Sequence, residues 1–167
     1  MITVLEGERR AIRTALGFFE QQTGKGVPIY TDFDAGKWEQ YEKCRLFLSE
    51  AFEWYDSRTH TSRKNNLFCY FAGQAKERGV DIFLSAPSFD MVEKRIRELT
   101  DQRGVCFFSR HHNKLYVHLL EPTTASFGTV VDGWQSKAAG IDTYEIDPIC
   151  QLLPQKYVKE AKDDRAG

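Results

Sequence analysis

The chain has 167 residues, 41% of them hydrophobic, with 12 Phe and 7 Tyr, which suits one folded domain with a substantial core. Its formal net charge of −1 excludes a uniformly basic nucleic-acid coat, although charge can still be sorted into patches. Apolar runs such as Asp81-Ile82-Phe83-Leu84 and Val105-Cys106-Phe107-Phe108 have the length of buried strands and are far too short to cross a bilayer, so no membrane insertion is expected.

Strand and helix periodicities alternate from the first residue, the pattern of βαβ units on a mostly parallel sheet. Ile2 to Leu5 reads as a strand. The start of the chain lacks the basic and long apolar regions of a secretory signal, so the protein is expected to stay where it is made. Ile12, Ala15, Leu16 and Phe19 recur at helical spacing and predict a helix over 11–22, stopped by Thr23-Gly24. Val27 to Tyr30 is the next strand, and its Pro28 points to a sheet edge. Asp34 to Lys43 is polar and unpatterned, and Leu46 to Leu48 is a second buried strand.

Leu67, Phe68, Phe71 and Ala75 define one face of a helix from about Arg63 to Arg78, with Gly79 able to end it in a left-handed conformation. Ile82 to Leu84 is a third buried strand. Pro87-Ser88 is expected to open a helix burying Phe89, Val92, Ile96 and Leu99, with Asp90 and Glu93 near its positive end. Val105 to Ser109 and Leu115 to Leu119, joined by a polar turn at His111-His112-Asn113, predict an antiparallel hairpin. Phe127 to Trp134 is a candidate further strand. The charged run KEAKDDRAG predicts a frayed helix or disordered tail, so the chain divides into a domain over 1–155 and a tail over 156–167.

Cys44, Cys69, Cys106 and Cys150 are evenly spread with no C-x-x-C pair, and they are expected to be reduced core residues. His60, His111 and His112 lack a second pair at metal-ligand spacing, so no metal site is expected. The tryptophans read as core or interface anchors.

Two places carry the remnants of nucleotide chemistry. A phosphate-binding loop needs glycine where the backbone wraps phosphates, a lysine to reach them, and a hydroxyl for magnesium. After the first strand stands Gly7-Glu8-Arg9-Arg10-Ala11-Ile12-Arg13-Thr14, which matches G-x-x-x-x-G-K-T at Gly7 and Thr14 only. Ile12 puts a β-branched side chain where a glycine should let the backbone approach, and the fork of Arg13 is no conservative exchange for lysine. The second place is Leu46-Phe47-Leu48-Ser49-Glu50, ending in Ser-Glu where a magnesium-supporting strand ends in Asp-Glu; Glu50 could still orient a water.

The stretch from Leu46 to Asp101 resembles the core of the HerA/FtsK-type P-loop ATPases of viruses and plasmids, including packaging ATPases and the zonular-occludens-toxin-like proteins. The similarity rests on Trp54, Asp56, Ser57, Arg58, Ser62, Arg63, Lys64, Asn65, Gly79, Ser85, Lys94, Arg95 and Arg97, and on Ile141-Asp142-Thr143-Tyr144-Glu145 near the end. The resemblance implies a P-loop NTPase-like three-layer α/β sandwich, its mostly parallel sheet extended by the antiparallel hairpin. It also implies that a polar T-x-Q sensor is missing at Ser85-Ala86-Pro87.

With the decisive group gone from three nucleotide-facing blocks, ATP hydrolysis is not expected, and Glu50 is read as vestigial. The degenerate nucleotide-binding set is then Gly7, Ile12, Arg13, Thr14, Ser49, Glu50 and Ser85, with no cofactor expected and ATP with Mg2+ only if the site keeps binding. Arg58, Arg63, Lys64, Arg95 and Arg97 are candidates for an arginine finger or DNA contact, against the plainer reading of a solvated helix face. The leading expectation is a pseudo-ATPase acting as a structural or interaction protein, in a homo- or hetero-oligomer with ATPase-like subunits. It would sit in the cytoplasm of a virus or plasmid host, or with a virion. The alternatives are an active DNA-translocating motor subunit with unorthodox motifs and a DNA-binding accessory module.

Overall fold

The computed structural model describes residues 1–49, 55–59, 61–122, 134–136 and 143–146. In chain order the elements are β1 (Ile2–Gly7), α1 (Arg9–Gln21), β2 (Ile29–Tyr30), β3 (Arg45–Leu48), α2 (Arg63–Gln74), β4 (Asp81–Ala86), α3 (Lys94–Leu99), β5 (Gln102–Ser109), β6 (Lys114–Pro122), β7 (Trp134–Ser136) and β8 (Thr143–Ile146). Short 3-10 turns lie at Ala35–Gln40, Ser57–Thr59 and Phe89–Met91.

The strands join in the order β2-β3-β4-β1-β5-β6-β7, and β8 also pairs with β6. The first five in that order are parallel, whereas β6 meets β5, β7 and β8 antiparallel. The expected hairpin is therefore present, with Phe107 opposite Tyr116 and Asn113 in the left-handed region of its turn. β2, with Pro28 just before it, is an edge strand. Cys44, Cys69 and Cys106 are buried free thiols. The expected charged tail, most of the Phe127 strand, Trp54 and Cys150 lie outside the described residues.

Side-chain alternation divides the core in two, as a strand's period of two requires. Ile2 and Val4 of β1, Leu46 and Leu48 of β3, and Ile82, Leu84 and Ala86 of β4 share one face with Phe68 and Phe71 of α2 and Ile96 of α3. Leu5, Phe47, Phe83, Cys106, Leu115 and Val117 meet Ala11, Ile12, Ala15 and Leu16 of α1 on the other. Helix, sheet and helix form three layers. Phe47 and Phe83 stack across adjacent strands at 4.7 Å, and Phe19 of α1 stacks on Phe83 at 5.5 Å. A core phenylalanine so placed is worth about 3–5 kcal/mol against truncation to alanine.

Two local readings change. The helix expected from Pro87 is broken: Val92 is extended at φ −75° and ψ 139° and bridges Asp56, while Glu93 caps α3 by accepting from the Arg95 N–H at 2.7 Å. A cross-chain pairing and a buried cap outweigh local helix preference here, and Leu99 ends 39% exposed rather than in the core. α2 regularly ends at Gln74, but its tail curls on to Gly79, which sits at φ +67° while the Val80 N–H reaches back to the Ala75 carbonyl at 2.8 Å. That bond and the left-handed glycine are the expected helix stop.

Candidate functional site at the carboxyl edge of the sheet

Ligands of open α/β sheets bind beyond the carboxyl ends of the strands, where neighbouring strands send their connections to opposite faces. In this chain that place lies between β1 and β4: β1 leads into α1 on one face, and β4 leads towards α3 on the other.

Only Glu8 separates the end of β1 from the start of α1. The residues aligned with a phosphate loop lie in the helix instead of around a ligand. The Ile12 N–H donates to the Glu8 carbonyl at 3.0 Å, closing the first helical turn, and the Ile12 side chain is buried against the sheet. Thr14 is also buried, and Arg13 is half-buried on the next turn. A triphosphate needs several N–H groups converging from a loop; a one-residue link does not fit that need.

Gly7 has a different reason to be glycine. It sits at φ +140°, and a Cβ there would lie 2.1 Å from the Cys106 carbonyl oxygen of β5. The absence of a side chain lets two backbones meet.

One residue before it, Glu6 is buried at the end of β1. Its Oε2 accepts from the Phe89 N–H at 2.6 Å, and its Oε1 accepts from Arg103 Nε at 2.7 Å and pairs with Arg103 Nη2 at 2.6 Å. The Arg103 guanidinium also lies over the Phe89 ring at 5.0 Å. A carboxylate of the chain itself thus spans the β1–β4 crevice, and it uses an N–H and a guanidinium that would suit an anionic ligand. Burial, and the Glu6 charge beside it, push the Cys106 thiol up to about 12.

At the ends of β3 and β4, Ser85 is fully buried and its hydroxyl is 3.4 Å from the Leu48 carbonyl, to which it donates. The buried Tyr55 hydroxyl donates to the Ser85 carbonyl at 2.7 Å. Ser85 thus ties strands together. Ser49 is exposed, and Glu50 lies outside the described residues.

The basic candidates are sorted by two buried carboxylates. Asp56 binds Arg58 through Nε at 3.0 Å and Nη2 at 2.5 Å, and the Arg58 hydrogen bonds hold its carboxyl below the usual range despite burial. Glu93 binds Arg95 Nε at 2.7 Å. Burial pushes the Glu93 carboxyl up, but bonds from Arg95 and the Cys69 thiol outweigh it, and the net direction is down. Cys69, buried against Glu93, is pushed up to about 12 by burial first and by that negative charge second.

The same groups are knitted together. Asp56 bridges Val92, its carbonyl accepts from Asn65 Nδ2 at 3.0 Å, and Arg95 Nη1 donates to Asn66 Oδ1 at 3.0 Å. Arg58 and Arg95 therefore flank the start of α2, where Ser62 caps the helix and Arg63 and Lys64 stand exposed. Arg97 stands apart, 3.6 Å from Asp90, with a buried Nε that makes no hydrogen bond. Among the described residues no group of three or more His, Cys, Asp or Glu could hold a metal ion, and no helix is long and apolar enough to cross a membrane.

Sequence reasoning missed Glu6 and Arg103. The available signal was a pair of charges of opposite sign, Glu6 at the end of a buried strand and Arg103 at the start of another.

No protein-family model matches the sequence, and a search of curated proteins finds no relative. In fold, the chain is similar to the crystal structure of the N-terminal domain of zonular occludens toxin from Neisseria meningitidis. The two align over 95% of this chain and 96% of that one, at 12% identity and a TM-score of 0.54. At this identity the likeness speaks to fold alone, and the fold is a P-loop NTPase-like α/β sandwich, mostly parallel, with an antiparallel C-terminal hairpin.

Proposed function

We propose that this chain is a pseudo-ATPase, a non-catalytic structural or interaction protein built on the fold of viral and plasmid DNA-packaging or translocation ATPases. The observation that carries the reading is the single-residue link between β1 and α1, with the Ile12 N–H committed to the helix. The buried Glu6 carboxylate, bonded to the Phe89 N–H across the crevice and to Arg103 of β5, supports it. On this reading the sheet and its surfaces are used for assembly with ATPase-like subunits, in a host cytoplasm or a virion.

The test is a calorimetric and thermal-shift titration with ATP and ADP, with and without magnesium. A ligand that binds only the native state raises apparent stability by about 2.7 kcal/mol at a hundred times its dissociation constant. The expected result is no heat and no shift. Magnesium-dependent turnover that disappears in Glu50→Gln would establish the motor subunit instead.

The second reading, a DNA-binding accessory module, is favoured by the meeting of Arg58 and Arg95 beside Arg63 and Lys64. Each guanidinium is held by a buried carboxylate, so part of the ordering of a long side chain is already complete before a phosphate arrives.

A further inference from the structure

One face of the β5–β6 hairpin lies under α1, where Cys106, Leu115, Val117 and Leu119 join the core. The other face has no such cover: among the described residues, no side chain of β5 or β6 enters the core beneath α2 and α3. The register puts Val105 beside His118, Phe107 beside Tyr116 and Ser109 beside Lys114 on this open face. Phe107 is 50% exposed, and the others are half-buried.

Phe107 and Tyr116 stack on each other, with ring centroids 5.3 Å apart and planes 17° from parallel. β1 ends at Gly7, opposite Cys106. On the side away from Tyr116, therefore, no residue of β1 stands beside Phe107, and a flat ring can extend the stack there. Charge is sorted at the same place. The whole chain has 24 Asp and Glu residues, yet none falls between Gly104 and Leu120, a stretch that holds Arg110, Lys114 and three histidines. Arg110, His111 and His112 stand exposed in the turn, and Arg110 is only three positions beyond Phe107.

An open aromatic stack suits bases, and an acid-free, cationic turn beside it suits phosphates. The two together suit a strand whose bases are free to turn outward. We infer that the open face of the hairpin binds single-stranded nucleic acid, with a base stacked on Phe107 and an adjoining phosphate against Arg110. A partner matched to apolar surface alone has no use for the sorted charge. The face uses none of the residues of the Arg58–Arg95 surface, and the inference does not depend on whether ATP binds at the β1–α1 link.

The test is fluorescence anisotropy of a labelled oligothymidylate titrated with the full chain, compared with a duplex of the same length. The variants are Phe107→Leu, Phe107→Trp and Arg110→Gln, all at exposed positions, and a melting curve checks that each folds. The expected result is saturable binding of the single strand, at least about tenfold tighter than of the duplex, in which the bases are already stacked. Phe107→Leu should weaken it about tenfold at an unchanged salt slope, and Phe107→Trp, which keeps a ring, should hold the affinity. Arg110→Gln should instead lower the slope of log affinity against log salt by about 0.7. No binding of oligothymidylate, equal affinity for the duplex, or Phe107→Leu as tight as the parent would overturn the inference. So would self-association of the chain, seen by sedimentation, that Phe107→Leu abolishes, since a second copy would then occupy the face.

Discussion

Replacing Gly7 by alanine separates a structural glycine from a phosphate-binding one. The new Cβ would fall 2.1 Å from the Cys106 carbonyl oxygen and 3.1 Å from its carbon, and both are backbone atoms of a strand paired on either side with β1 and β6. Relief requires the ends of β1 and β5 to part. Overlap of this kind costs about 1–3 kcal/mol, and holding a side-chain-bearing residue near φ +140° adds ~1–3 kcal/mol. Together they give about 2–6 kcal/mol, a large share of the 5–15 kcal/mol typical of a domain. For a chain of this size the midpoint should fall by about 4–24 °C. Differential scanning calorimetry and urea unfolding, without any nucleotide, would measure this. A variant that melts within about 2 °C of the parent would refute the close approach, and with it the structural explanation of the glycine.

The acid limb of stability should depend on Asp56 and Glu93. Both carboxyls titrate in the folded chain below their ordinary values of 3.8 and 4.5. The unfolded chain therefore takes up protons first, and the stability they supply is whole above those values and is lost as pH falls through the lower folded ones. Asp56→Asn and Glu93→Gln should each flatten the decline below about pH 4.5, measured by urea midpoints across pH; an unchanged slope would contradict the assignment. Cys69 and Cys106, each pushed up to about 12, should resist iodoacetamide at pH 8 in the native protein and react at once in denaturant. Peptide mapping by mass spectrometry reads this, and equal native and denatured rates would show that neither thiol is held as described. If the Arg58 and Arg95 surface meets phosphates at about three positions, DNA affinity should fall roughly 40-fold from 50 to 200 mM salt. Arg58→Gln with Arg95→Gln should flatten that slope, and a flat response in the parent would remove the DNA reading.

The parallel half of the sheet was legible because its buried runs are short, apolar and separated by helical spacing, as at Leu46 to Leu48 and Ile82 to Leu84. The hairpin was legible from its polar turn. Around Ile12 the sequence carried two messages: a glycine-to-threonine spacing suggested a loop, whereas Ile12, Ala15, Leu16 and Phe19 suggested a helix. In the fold the helix extends back to Arg9, because its apolar side chains bury against Leu5 and Phe83. The break at Val92 was not legible, since it depends on Asp56, far away in the chain. The Glu6–Arg103 pair spans 97 positions, and no local pattern marks such a partner.

The place of β1 in the sheet also sets a schedule. Its parallel neighbours are β4 and β5, so Ile2 must wait for Ile82, and Thr3 for Gln102. At about 5–20 residues per second of synthesis, the apolar edge of β1 waits roughly 4–16 s for its first strand partner. The β5–β6 hairpin, by contrast, closes across a short turn as soon as it is made. The middle strand of the finished sheet is thus the first to be made, and among the described strands it waits longest for its neighbours. A newborn chain, more than the mature protein, is where aggregation or a chaperone would find its target.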